Sequence, residues 1–178
     1  MSLSSTAKKE IIEWIWTIAL ALLIAFLVRQ FLFQPYRVEM GSMIPTLHEG
    51  DLVIVNKLYS NPDKLHRGDI IVFHPPSDHT VSYIKRVVGL PGESVEVRNG
   101  IVKVNDEELD ETYISTATPS IFGPTVLKED EFFVMGDHRN NSLDSRDFGP
   151  IRENAIEGRA VLILWPPKDF RALAHVEY

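Results

Sequence analysis

The chain has 178 residues, 25 acidic against 18 basic side chains for a formal charge of -7, and no cysteine. That length, less an N-terminal apolar segment, allows one ordinary domain with a real core. The acidic balance, without a basic stripe, argues against nucleic acid as a partner, and zero cysteines exclude a disulfide framework, a thiolate metal site and a cysteine nucleophile.

Residues 14–28 carry no charge, and after Arg29 and Gln30 the apolar character resumes at Phe31, Leu32 and Phe33. The reach is near the ~20 residues of a spanning helix. Trp14 and Trp16 stand at one end, where interfacial aromatics gather, and Arg29 can snorkel toward headgroups. A buried soluble helix or a cleaved signal peptide would share this composition. Against cleavage, no Ala-x-Ala-like site follows, and the run leaves through Phe33-Gln34-Pro35-Tyr36-Arg37. The expectation is a short terminus over 1–12, a single uncleaved anchor over 13–33 in contact with the lipid bilayer, and one domain over 34–178. Lys8 and Lys9 on one side against Arg29 and Arg37 on the other leave the orientation undecided by charge.

Beyond the anchor, short β-type runs at 52–57, 70–73, 81–88, 94–98, 101–105, 131–135 and 160–165 alternate with turn signals, and no second helix of convincing period follows. The fold class is mostly β. Asn99-Gly100 marks a two-residue hairpin, because that turn needs positive φ at both positions. From 106 to 130 the chain is polar and rich in Pro and Thr, which predicts few regular elements in a surface excursion spanning about 94–130. Repeats, low-complexity tracts and interdomain linkers are absent.

Two runs carry chemistry. Gly41-Ser42-Met43-Ile44-Pro45-Thr46-Leu47 follows the anchor closely, with about nine residues between Phe33 and Ser42 and so at most ~30 Å of reach. A serine hydroxyl there needs a base to become a nucleophile. Val81-Ser82-Tyr83-Ile84-Lys85-Arg86-Val87-Val88, read with period two, puts Lys85 on a face with Val81, Tyr83 and Val87. Apolar surroundings lower a lysine pKa and make it a usable base near neutral pH. A third run, Gly136-Asp137-His138-Arg139-Asn140-Asn141-Ser142-Leu143-Asp144-Ser145-Arg146, is a polar loop of alternating charge.

These three runs, in this order behind an apolar segment, resemble the type I signal peptidases, the Ser/Lys class S26 of bacteria and organelles. The likeness covers nearly the whole chain. It implies a signal-peptidase-like β domain behind one transmembrane helix, with residues 1–12 cytoplasmic and the domain on the extracytoplasmic face of the cell membrane. Ser42 would attack the scissile carbonyl, Lys85 would carry the proton, and Ser142 would orient Lys85. Asp144 and Arg146, with Asp137 and Arg139, would form a salt-bridged brace for Ser142. The Ser42 backbone N–H would serve the oxyanion. Many relatives have a serine two residues before the nucleophile, but this chain has Met40, which offers no hydroxyl. The implied partners are exported preproteins with small residues at the first and third positions before the cut, bound extended beside a site strand. Met40, Gly41, Met43, Ile44, Pro45, Val81 and Tyr83 are the expected pocket residues.

Other readings share parts of this pattern. His74 and His79 lack the i, i+4 spacing of a zincin pair, so no metal and no cofactor is expected. A Ser-His-Asp triad on Ser42 stays open, since triads assemble in several chain orders. A self-cleaving Ser/Lys protease would lack the anchor and the third run. A catalytically silent, membrane-tethered β domain that binds signal sequences would keep all three.

Overall fold

In the computed structural model, residues 5–60, 64–114 and 119–173 are described. The chain opens with helix α1, Ser5–Phe31, whose 23-residue apolar stretch Lys9–Phe31 is unburied by the rest of the protein. Trp14, Ile15, Trp16, Ile18, Leu20, Leu22, Leu23 and Phe26 are all exposed, which covers every face of the helix. A helix apolar all round needs lipid or a protein interior, not water.

Among the described residues twelve strands follow: β1 Phe33–Arg37, β2 Leu52–Asn56, β3 Ile70–Phe73, β4 Tyr83–Gly89, β5 Ser94–Arg98, β6 Ile101–Val104, β7 Glu107–Glu108, β8 Ile121–Val126, β9 Glu131–Met135, β10 Ile151–Arg152, β11 Ile156–Trp165 and β12 Arg171–Ala172. A one-turn helix, α2, Ser145–Phe148, sits between β9 and β10. The larger sheet runs β1-β2-β11-β3-β4-β9-β10, with β12 also on β11; the smaller runs β7-β6-β5-β8. Strand β11 enters late in the sequence yet pairs with both β2 and β3, so it closes the centre of the larger sheet.

Burial follows the pleat. Ile70 and Val72 face a core with Val53, Val55, Met43, Leu47 and Ile163, while Ile71 and Phe73 face another with Val87, Phe132, Val134 and Ile151. Strand β3 is therefore covered on both sides, and this is why 70–73 reads as an unbroken apolar run. A third cluster, Val88, Val95, Val97, Val102, Val104, Leu127, Phe133 and Met135, joins the two sheets.

The structure revises several boundaries. The helix ends at Phe31, and Phe33, assigned to the anchor from sequence, already pairs with Asn56 in β1. The 94–130 excursion is a second sheet: β8 pairs with β5 along Ile121–Val126, where Gly123 and Pro124 disguise the strand pattern. Strand β4 starts at Tyr83 rather than 81, and β11 starts four residues before 160. Helix α2 is a single turn, too short to show a period; Asp144 caps it by accepting from the Arg146 N–H, and the Asp147 side chain returns a bond to the Asp144 N–H.

One buried ion pair ties β4 to the segment after β9. Arg86 is 2% exposed and donates Nε and Nη2 to the two oxygens of Asp137 at 2.8 and 2.6 Å, and Nη1 to the Gly68 carbonyl at 2.7 Å. The Tyr113 ring lies 4.0 Å from the guanidinium carbon. All three guanidinium nitrogens donate, and both Asp137 oxygens accept, the kind of hydrogen bonding that lets a buried pair be tolerated. Arg86→Ala would strand the Asp137 charge and should cost roughly 3–5 kcal/mol of unfolding free energy, read from chemical denaturation. A loss below about 1 kcal/mol would mean that water reaches Asp137 freely.

Candidate active site

Ser42 sits in the 3-10 turn Gly41–Met43. Met43, fully buried in the first core cluster, fastens the turn from below, and Leu47 donates its N–H to the Met43 carbonyl at 2.9 Å. From the side, the segment after β9 holds the same turn: the His138 N–H donates to the Ser42 carbonyl at 3.0 Å, and His138 Nδ1 lies 3.1 Å from the Gly41 carbonyl. Gly136 permits this approach. A Cβ there would stand 2.2 Å from Ser142 Oγ and 2.5 Å from the Ser42 carbonyl oxygen, distances that no side chain survives.

Lys85 comes from the middle of β4, opposite Ile71, and is 2% exposed. Its Nζ lies 2.9 Å from Ser42 Oγ and 3.1 Å from the Ile84 carbonyl, with the Tyr83 ring 5.2 Å away. Burial lowers its pKa to about 8, against the opposing pull of Asp144 and Asp137. An amine of that basicity in contact with a hydroxyl can take a proton from it and return it, the exchange that acyl transfer needs.

The loop's Asp137, Arg139 and Asp144 are buried, whereas Asn140, Asn141 and Leu143 stay exposed. Asp144 is fully covered and receives Arg146 Nε and Nη2 at 2.9 Å each and the Gly136 N–H at 3.0 Å. Burial opposes ionisation of Asp144, but Arg146 and the Gly136 N–H outweigh it and hold the carboxyl below its ordinary range. Arg146 also donates to the Arg139 carbonyl at 2.9 Å. The expected brace is thus half local. Asp144 and Arg146 pair within the loop, whereas Asp137 turns to Arg86 and Arg139 makes two bonds to Glu111, at 2.7 and 2.5 Å. Each charge is buried, so each takes the partner that can reach it with two hydrogen bonds, whatever its distance along the chain. Ser142 Oγ is buried beside Asp144 without a formed hydrogen bond among the described residues, and the expected contact to Lys85 is not made.

Two cavities meet at the Ser42 and Lys85 pair. One, about 450 Å³, has Pro35, Tyr36, Val38 and Met40 on one wall, Val81, Ser82, Tyr83 and Ile84 on the other, and Val53 and Val72 in the floor. The second, about 430 Å³, lies among Met40, Gly41, Glu49, Asn141 and Leu143. Of the expected pocket residues, Met40, Gly41, Val81 and Tyr83 line these spaces. Met43 is core, and Ile44 and Pro45 line neither cavity, because the turn directs the three of them away from the cleft. Tyr36, Val38, Val53 and Val72 escaped the sequence reading. The alternation of Tyr36 and Val38 is the available signal, masked because Phe33 extends the apolar run and Pro35 resembles a break. Thr46, which donates to Asp137 at 2.5 Å, and Glu111 gave no local signal.

The chain matches the model of the family described as signal peptidase, peptidase S26, over residues 11–165. A signal peptidase I of Bacillus amyloliquefaciens is 37% identical over 180 residues, covering 94% of this chain and 93% of the relative. Signal peptidase I T of Bacillus subtilis is 37% identical over 93% of each chain. A signal peptidase I of Leptolyngbya laminosa is 40% identical over 90% of this chain and 82% of its own. Among solved structures, a signal peptidase I from Enterococcus faecalis is similar at 32% identity and a TM-score of 0.49, over 54% of this chain and 96% of that one. A match that runs from the apolar helix to the end of β11, with relatives this similar over nearly their full length, makes this chain a member of the S26 signal peptidase family.

Proposed function

We propose that this protein is a membrane-bound serine endopeptidase that removes signal peptides from exported preproteins, with Ser42 as nucleophile and Lys85 as general base. The observation that carries the reading is the 2.9 Å contact between a buried amine and a buried hydroxyl at the meeting point of two cavities. Neutral Lys85 takes the Ser42 proton as Oγ bonds to the scissile carbonyl carbon. The tetrahedral intermediate collapses, the C–N bond breaks, and the leaving amine takes the proton from Lys85 Nζ. Water, deprotonated by neutral Lys85 Nζ, then attacks the acyl carbonyl carbon, and the C–Oγ bond breaks as Lys85 returns that proton to Ser42 Oγ.

The oxyanion falls to the Ser42 N–H, at the start of a turn whose first amides have no partner within it. Met40 adds no side-chain donor. Ser142 and the Asp144–Arg146 pair act as positioning residues. Gly136 couples them to the nucleophile, since both Ser142 Oγ and the Ser42 carbonyl rest on its Cα. The substrate lies extended between the β1 wall and the 81–84 wall, as an added strand.

The apolar helix suits a single anchor, and β1 begins two residues after that helix ends, so the cleft stands close to the bilayer. Exposed Trp165 and Phe170 suit contact with lipid. Exported substrates require the domain on the extracytoplasmic face and residues 1–12 in the cytoplasm.

Ser42→Ala and Lys85→Ala should each abolish preprotein cleavage while membrane insertion and the fold persist. In the wild type, turnover should rise with pH through a midpoint near 8, because protonated Lys85 cannot accept the serine proton. A midpoint near 10 would mean that burial does not tune the base, and a Lys85→Ala protein that cleaves normally would remove lysine as the base. Gly136→Ala should lower turnover at least about 100-fold with little change in circular dichroism, since ångström-scale misplacement of a nucleophile is that costly. Near-normal turnover would uncouple Gly136 from the nucleophile. The depressed Lys85 pKa also has a stability consequence. At neutral pH the folded state must either bury an ammonium or release a proton that the unfolded chain keeps up to pH ~10.5, so stability rises between about pH 8 and 10.5. Lys85→Met should therefore be more stable than the wild type at pH 7, by up to ~3 kcal/mol, with the advantage fading toward pH 10. An advantage independent of pH would point to packing instead.

A further inference from the structure

Glu157 stands at the register shift between Ile156 and Gly158, where β11 passes β3. A bulge re-aims the side chain of its extra residue. Gly158 lets β2 close over the bulge: a Cβ there would lie 2.6 Å from the Asn56 carbonyl oxygen. The re-aimed Glu157 carboxylate offers one oxygen to each wall of the larger cavity. The Tyr36 hydroxyl donates to Oε2, and the Ser82 hydroxyl donates to Oε1 at 2.5 Å. His74 adds a contact of 3.6 Å to the same Oε1 and holds the Val81 carbonyl through Nδ1 at 2.9 Å. Burial and the Glu157 carboxylate both raise the Tyr36 pKa, so the phenol stays a donor at any ordinary pH.

Strands β1 and β4 are separated by β2, β11 and β3 in the sheet, so no backbone ladder joins their walls directly. The carboxylate spans that gap. Ser82 precedes Lys85 by three residues, which places the clasp about 10 Å along the cleft from the base at ~3.3 Å per residue. An extended peptide covers three residues in that distance. We propose that Glu157, acting through Tyr36 and Ser82, fixes the width of the cleft at this point and so limits the bulk of the third substrate residue before the cut. The inference rests on the peptidase reading and deepens it, making Glu157 a specificity-positioning residue that never touches the reacting atoms.

The test uses the full-length protein in lipid vesicles and a set of preproteins that differ only at the third residue before the cut, as Ala, Val, Leu or Phe. The quantity read is the ratio of kcat/KM for the Leu substrate to that for the Ala substrate. In Glu157→Ala and Tyr36→Phe this ratio should rise about tenfold over the wild type, the scale on which apolar pockets discriminate by size, with KM for the Leu substrate falling more than kcat changes. Glu157→Gln, which keeps an acceptor for only one hydroxyl, should fall between. Ser82→Ala removes an exposed contact and should raise the ratio by a smaller factor even if Glu157→Ala does not fold. An unchanged ratio in Tyr36→Phe and Ser82→Ala, with the wild type active, overturns this inference alone, whatever happens to thermal stability. No cleavage by the wild type, with Ser42→Ala as its control, overturns the peptidase reading and this inference together.

Discussion

The site depends on one constraint: a lysine is buried against a serine, with no carboxylate partner of its own among the described residues. Two cations stand side by side on β4, and the fold treats them in opposite ways. Arg86 receives both oxygens of Asp137 and remains charged. Lys85 receives a hydroxyl and a carbonyl, and its pKa falls to about 8. Strand alternation makes the separation possible, since neighbouring residues point to opposite faces. The two carboxylates whose fields reach Lys85 are each committed to a guanidinium, Asp137 to Arg86 and Asp144 to Arg146. Their pull on the amine is thereby shared with arginine, and desolvation wins. Had either carboxylate met Lys85 directly, the amine would stay an ammonium and could not accept the serine proton.

The arginines therefore have an electrostatic task besides holding the fold. Arg86 fastens the segment after β9 to β4, and that segment carries Gly136 and His138, which seat the serine turn through two carbonyls. Moving Asp137 would shift both the field at Lys85 and the backbone under Ser42. Stability and the Ser42–Lys85 geometry are thus coupled through the same loop, and a substitution there can disturb that contact without touching either residue.

Local rules explain what the sequence discloses. The Asn99-Gly100 hairpin, the doubly buried run at 70–73, the mostly β class and the pairing of Ser42 with Lys85 all follow from turn chemistry, hydrophobic period or a short motif. What stayed hidden was decided across the chain. Strand β1 was obscured because Phe33 extends an apolar run and Pro35 resembles a break; its identity depends on β2, which supplies the partner edge. Strand β8 was obscured by Gly123 and Pro124 for the same reason. The partners of Asp137 and Arg139 lie 51 and 28 residues away. Their alternation with Asp144 and Arg146 suggested a local lattice, but burial selects partners by geometry, and geometry here comes from β4 and from Glu111.

The recovered strand β1 changes how membrane and site are related. A flexible tether after the helix would let the domain sample many heights above the bilayer. Here α1 ends at Phe31 and Phe33 already pairs with Asn56, so the chain enters the sheet with almost no slack. Three residues later Tyr36 lines the cleft, and six residues beyond that the serine follows. If α1 is the anchor, its exit point therefore fixes the height of the cleft to within a few residues' reach, roughly 10 Å. A peptide whose apolar segment still lies in the same bilayer then presents only the short stretch just outside it, and the cut falls near the membrane because the sheet begins there.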